Sequence, residues 1–289
     1  MRVLALILLF LKTSCASITK YEIKEYDSVA HENATVIRGN ARFTILTVRR
    51  FDSFSNVHTQ NKKKQSRTIR MEYAKSKAFE DRPTLAVVNR KVSPPSFKVS
   101  DSGSVVTIAT SDVELTYDSS KGVFSSESLQ VSSLSQDSAF KKWDPSMNSA
   151  NDAQNLRGTY RTLDGTKNVS LDCNNNGKMG DHCAFGLISR SGFAILNDTL
   201  SPVLDDDDWW ADSNGKPLTN LDDEDLYIFA HGHMYKDALK DYVSIGGSIP
   251  LIPRSNFGVW YVVFEREARE YLFSHSLTQR THSCHLHNQ

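Results

Sequence analysis

Residues 225–260, DLYIFAHGHMYKDALKDYVSIGGSIPLIPRSNFGVW, read as strand, helix, loop and second strand. Residues 226–230 form a short apolar run of strand character. The helix is predicted to start near His233. Tyr235, Ala238, Leu239, Tyr242 and Val243 recur at helical spacing and form one apolar stripe, with Lys236, Asp237, Lys240 and Asp241 on the opposite face. Gly246-Gly247 supplies the stop, and Pro250 prevents a restart. Residues 257–260 are almost wholly apolar, as in a strand buried on both faces.

Upstream of this stretch the pattern changes to short strands. Residues 42–48, 68–73, 104–108 and 113–117 are rich in β-branched and aromatic side chains, and most are bounded by Gly, Asp, Asn or Ser. Residues 185–188 and 192–196 flank a Ser189-Arg190-Ser191 turn and read as a hairpin. Many short strands with one helix argue for an all-β, two-sheet architecture. Two stretches lack periodicity. Residues 49–66 are polar and basic and read as a solvated loop; residues 125–151, rich in Ser, Asp and Asn, read as a long flexible connection.

The N-terminus carries a targeting pattern. Arg2 precedes the apolar residues 3–11, and Ser14-Cys15-Ala16 offers small residues for cleavage, so residues 1–16 are expected to be a signal peptide. The apolar run is too short to span a bilayer, and no later segment reads as a membrane anchor. Secretion, or delivery to the endoplasmic reticulum lumen or lysosome, is the expected fate. There Cys173 and Cys183 are expected to form a disulfide, leaving Cys284 odd. Asn33, Asn168 and Asn197 open N-x-S/T triplets and are the expected glycosylation sites. Basic and acidic residues balance at 34 each, which supplies no global field toward nucleic acid or an anionic membrane.

Several segments in order along the chain resemble members of glycoside hydrolase family 31. Residues 41–47, 68–73 and 79–90 are similar to early stretches of those enzymes. Residues 155–164, NLRGTYRTLD, resemble the family's Asn-Leu-x-Gly-Thr loop, and residues 186–192, GLISRSG, its Gly-Leu-x-Ser-Arg-x-Gly segment. Gly232-His233-x-Tyr235-Lys236, then Ile249-Pro250-Leu251-x-Pro253-Arg254 and Gly258-Val259-Trp260, complete the likeness over residues 20–260. It breaks at residues 49–66, an inserted loop, and after Tyr261. Val48 and Val262 stand at the two breaks, and both divergent segments read as retained introns or gene-model errors.

The resemblance implies a galactose-mutarotase-like β-sandwich over residues 17–248. One helix ends that stretch, and residues 249–260 are the start of an incomplete (β/α)8 barrel; residues 261–289 are expected to be a disordered tail. The implied activity is retaining hydrolysis of α-linked glycosides, with α-glucosidase the commonest case. That chemistry needs two carboxyl groups about 5 Å apart, which the family places on barrel strands beyond residue 260. A whole barrel takes about 250 residues, so this chain is expected to be the non-catalytic portion. A stand-alone carbohydrate-binding module and a nonfunctional product are the rival expectations. Carbohydrate is the implied partner, and no cofactor or metal is expected.

Asp208, Trp209 and Trp210 join a carboxylate to two aromatic faces and are the candidate sugar contacts, although an exposed acidic turn is the plainer reading. Residues 222–225 read as a solvated turn, and His231 and His233 as structural. Asp172-x-Asn174-x-Asn176-Gly177 imitates the start of a calcium loop, but Cys183 stands where a bidentate Glu belongs. His282, Cys284, His285 and His287 have metal-like spacing without a second ligand cluster.

Overall fold

The structure, a computed structural model, describes residues 26–46, 66–92, 94, 96–136, 138–147, 152–159, 183–204 and 222–248. All of these lie within one compact unit, Glu22–Ser248. Asp208, Trp209, Trp210, Cys173, Asn168, residues 49–65 of the inserted loop and the segments 249–260 and 261–289 lie outside the described residues.

The described chain is mostly β, with two five-stranded antiparallel sheets and one helix. The first sheet has the order β1 (Thr35–Arg38), β2 (Ala41–Leu46), β3 (Thr68–Tyr73), β12 (Glu224–Phe229), β11 (Ala194–Asn197). The second is a meander of β4 (Lys98–Ser102), β5 (Val105–Ala109), β6 (Val113–Asp118), β7 (Leu129–Ser133) and β8 (Lys142–Trp143). A short ladder joins β9 (Gly158–Thr159) to β10 (Cys183–Ala184). Helix α1 spans Tyr235–Gly246.

Strand alternation explains how the first sheet is used. Successive side chains of a strand point to opposite faces. Register aligns Phe43 with Met71 and Met71 with Leu226, and likewise Ile45 with Ile69 and Ile69 with Ile228. These rows belong to the main core, together with Val106, Ile108, Leu115, Tyr117, Leu129 and Val131 of the second sheet. The two sheets thus share one apolar interior, in which Phe43, Tyr73, Tyr117 and Phe124 form an aromatic cluster with ring centroids 5.3–6.1 Å apart.

The opposite rows of the first sheet are Arg42–Glu72–Asp225, Thr44–Arg70–Tyr227 and Leu46–Thr68–Phe229. They are buried as well, apart from the partly exposed Arg42. Leu46, Tyr227 and Phe229 form a second apolar cluster with Val87 and Ile245 of α1. Every residue of β3 is consequently buried, Arg70 and Glu72 included.

Arg70 donates to both oxygens of Asp225 at 2.9 and 2.8 Å and to the Glu80 carbonyl at 2.7 Å. Arg42 grips Glu72 at 2.6 and 2.8 Å and Asp81 at 2.7 and 3.0 Å. Burial works to lower the Arg70 pKa, yet Asp225 and Glu72 hold it well above the ordinary arginine value. At Glu72 burial wins instead. Its burial raises the carboxyl pKa despite the attraction of Arg70.

Several expectations need correction. Residues 125–151 are no flexible connection: β7 and β8 lie there, with Leu129, Val131, Phe140 and Trp143 buried. In β7, Gln130 and Ser132 alternate with the buried Leu129 and Val131, whereas Ser128 and Asp144 are themselves buried. The hairpin of residues 185–196 does not form. Leu196 pairs with Tyr227 of β12, while residues 186–190 run beside residues 154–156. The acidic run before β12 is only partly a turn, since Glu224 and Asp225 belong to the strand and Asp225 is buried by Arg70.

Helix α1 is present, but its apolar stripe is rotated from the expected one. Its buried residues are Ala238, Asp241 and Ile245, whereas Leu239 and Val243 are 44% and 43% exposed. Asp241 is drawn inward because it accepts from Thr68 Oγ1 at 3.1 Å and faces His231 Nε2 at 2.7 Å. Strand β4 went unforeseen because all five of its residues are exposed, so no buried face marks it in the sequence. Among the described residues no helix is long and apolar enough to cross a membrane.

Candidate functional site

Three segments far apart in the sequence meet at one corner of the unit. The Asn155 side chain donates to the Gly186 carbonyl at 2.8 Å and accepts from the Gly186 N–H at 3.0 Å. Leu156 N–H reaches the Ile188 carbonyl at 2.9 Å, and Arg190 N–H the Gln154 carbonyl at 3.0 Å. The third segment joins through Gly232 N–H, which donates to the Gly192 carbonyl at 2.8 Å. His233 Nε2 lies 3.0 Å from the Arg190 carbonyl. Asp152 ties the loop from below, accepting from the Ser189 hydroxyl and, at 2.8 Å, from the Ser191 hydroxyl.

Two backbone features fix this corner. Gly192 has φ +81°, and a Cβ there would sit 2.5 Å from the Phe140 nitrogen. Only glycine allows so close an approach of two backbones. Arg157 adopts φ +56°, a left-handed conformation unusual for a non-glycine residue. Its N–H is held by Asn155 Oδ1 at 2.8 Å, and its guanidinium lies over the Phe185 ring at 5.3 Å.

Beside the corner opens a cleft of about 530 Å³ at the ends of β3, β6, β7 and β12. One wall holds Arg67 and Asp112; Arg67 donates from Nε and Nη2 to Asp112 Oδ1 at 3.0 and 2.7 Å. Ser133, Ser135 and Ser138 supply hydroxyls to the lining. His231, His233 and Met234 also line it, with Met234 Sδ accepting from Arg67 Nη1 at 2.9 Å.

His231 is only 4% exposed; Asp241 holds one ring nitrogen and Phe229 stacks on the ring at 6.2 Å. The pair anchors α1 to the end of β12. Among the described residues Nδ1 has no hydrogen-bond partner, and it is itself buried. No nucleophile is therefore set against it.

The sequence-predicted site residues are distributed differently. Asp208, Trp209 and Trp210 lie outside the described residues, as does Cys173. Cys183 belongs to β10, opposite Thr159. Asn33 and Asn197 are exposed; Asn197 Oδ1 accepts from Thr199 N–H at 3.0 Å. His231 and His233 both reach the cleft, one buried and one on its rim.

Sequence reasoning missed Arg67, Asp112 and the three serines. The usable signal was slight: Asp112 sits in the Thr110-Ser111-Asp112-Val113 turn, which Thr110 Oγ1 caps by accepting from the Asp112 and Val113 N–H groups. That residues 67 and 112 meet is not visible from either segment. No protein-family model matches the chain, and no curated protein matches it either.

Proposed function

We propose that this chain is the non-catalytic, galactose-mutarotase-like sandwich portion of a family 31 glycoside hydrolase, an enzyme of α-linked carbohydrate. The observation that carries the reading is the corner. The segments that bear the resemblance, at Asn155, at residues 186–192 and at Gly232-His233, are bound to one another there. Segments with a common structural task are expected to meet in this way.

The chemistry of the described carboxylates supports a supporting rather than a reacting role. A retaining glycosidase needs one carboxylate free to attack and a second acid within about 5 Å. Asp112, the carboxylate in the cleft lining, is engaged with Arg67, and Asp241 behind His231 is engaged with Thr68 and His231. The Asp208, Trp209 and Trp210 run is the proposed sugar-facing rim. Passage through the secretory pathway, with glycans on Asn33, Asn168 and Asn197 and a Cys173–Cys183 disulfide, completes the reading; the exposure of Asn33 and Asn197 supports it.

The test is direct. The purified full chain, offered an aryl α-glucoside, is expected to show no turnover above the uncatalysed rate. Turnover that an α-glucosidase inhibitor abolishes would overturn the non-catalytic reading. Titration with maltose and xylose oligomers is expected to quench tryptophan fluorescence in the full chain and not in Trp209→Ala/Trp210→Ala. An unchanged signal in the double variant would remove that rim.

A further inference from the structure

We propose that the cleft lined by Arg67, Asp112 and His233 is a binding site for a neutral, hydroxyl-rich small molecule of mono- or disaccharide size. The proposal does not depend on the family reading, because it rests on the lining alone. A volume of about 530 Å³ lies within the range of small-ligand sites, roughly 300–1,000 Å³.

Charge selects the ligand class. The guanidinium and the carboxylate of the lining are bonded to each other, and both side chains are 14% exposed. An anion would meet Asp112 beside Arg67, and a cation would meet Arg67 beside Asp112, so neither gains a clean counter-ion. A neutral group that both donates and accepts fits both partners at once. A hydroxyl is such a group.

The rest of the lining repeats that demand. Ser133, Ser135 and Ser138 carry hydroxyls, which also donate and accept. Ala139, Ala230 and Met234 add apolar atoms to the lining for the C–H groups of a ring, and Met234 Sδ also accepts from Arg67 Nη1 at 2.9 Å. The site is held rather than loose. Thr110 fixes the turn that bears Asp112, and the Arg190 carbonyl engages His233. The Asp241–His231 pair sets the end of β12 behind it. Such prior fixing reduces the ordering cost of binding.

The experiment follows the imidazole proton resonances of His233 in the full chain during titration with maltose, xylose and glucose 6-phosphate. The local readout reports on the cleft itself, so its outcome is read independently of the Trp209→Ala/Trp210→Ala test. Saturable shifts with at least one neutral sugar are expected, with weaker or absent shifts for the phosphate. Ser135→Trp, a bulky change at an exposed position, should block the cleft and weaken binding at least about tenfold. Asp112→Asn should weaken it while leaving the circular dichroism spectrum unchanged. Absence of saturable shifts in the unmodified chain, equal binding by Ser135→Trp, or preference for the phosphate would each overturn the proposal.

Discussion

Replacing Arg70 with Met tests the buried ion network more sharply than any other change. The side chain is 1% exposed and has Asp225 on two bonds, Glu72 Oε1 at 3.0 Å and the Tyr227 ring at 5.6 Å. Met retains the length and the apolar stem, so packing changes little. What is lost is the principal counter-ion of a buried carboxylate. Removing one member of such a pair costs about 3–5 kcal/mol. The lower half of that range applies, because Glu72 keeps its two bonds from Arg42.

For a unit the size of Glu22–Ser248, each kcal/mol moves the midpoint by about 2–4 °C. Arg70→Met should therefore lower Tm by roughly 6–16 °C in circular dichroism melts of the full chain. Arg70→Met/Asp225→Leu removes both charges and should recover most of that loss, since an apolar pair can match a buried ion pair. A fall under about 2 °C for the single change would refute the reasoning. So would a double variant whose loss is the sum of the two singles.

Three further outcomes are expected. Burial, aided by Asp222, raises the Glu224 pKa above its ordinary value, and Oε2 has no hydrogen-bond partner among the described residues. The folded state thus binds that proton more tightly than the unfolded chain. This stability contribution is complete below the unfolded value and is lost as pH rises through the folded one. Glu224→Gln should raise Tm at pH 7, with the gain vanishing in melts below about pH 4.5. Gly192→Ala should cost at least about 3 kcal/mol in urea unfolding, or prevent folding, because a methyl group meets the Phe140 backbone and φ is positive. Lys77, exposed with φ +59°, should become Gly with a gain of about 0.5–1 kcal/mol, because the steric cost of the left-handed residue exceeds glycine's added entropy; an equal or lower midpoint would contradict this.

The sequence by itself determined the elements whose causes are local. The β-branched and aromatic runs Phe43-Thr44-Ile45 and Leu115-Thr116-Tyr117 mark strands, and Gly246-Gly247 marks the end of α1, because these signals need only a few consecutive residues. The tertiary structure decided what stands across from them. β3 pairs with β12, which brings Arg70 to Asp225 across 155 positions. The face carrying Arg42, Arg70 and Glu72 would be a solvated face by its composition. It is buried because its charges find partners among Asp81, Asp225 and the Glu80 carbonyl. The same reason turns α1, whose polar Asp241 faces inward to His231 and Thr68 while Leu239 faces out. The cleft was illegible for the same cause. Its polar groups come from strand ends of two different sheets that only tertiary packing brings together, and no periodicity within one segment encodes which distant segment will satisfy a buried charge.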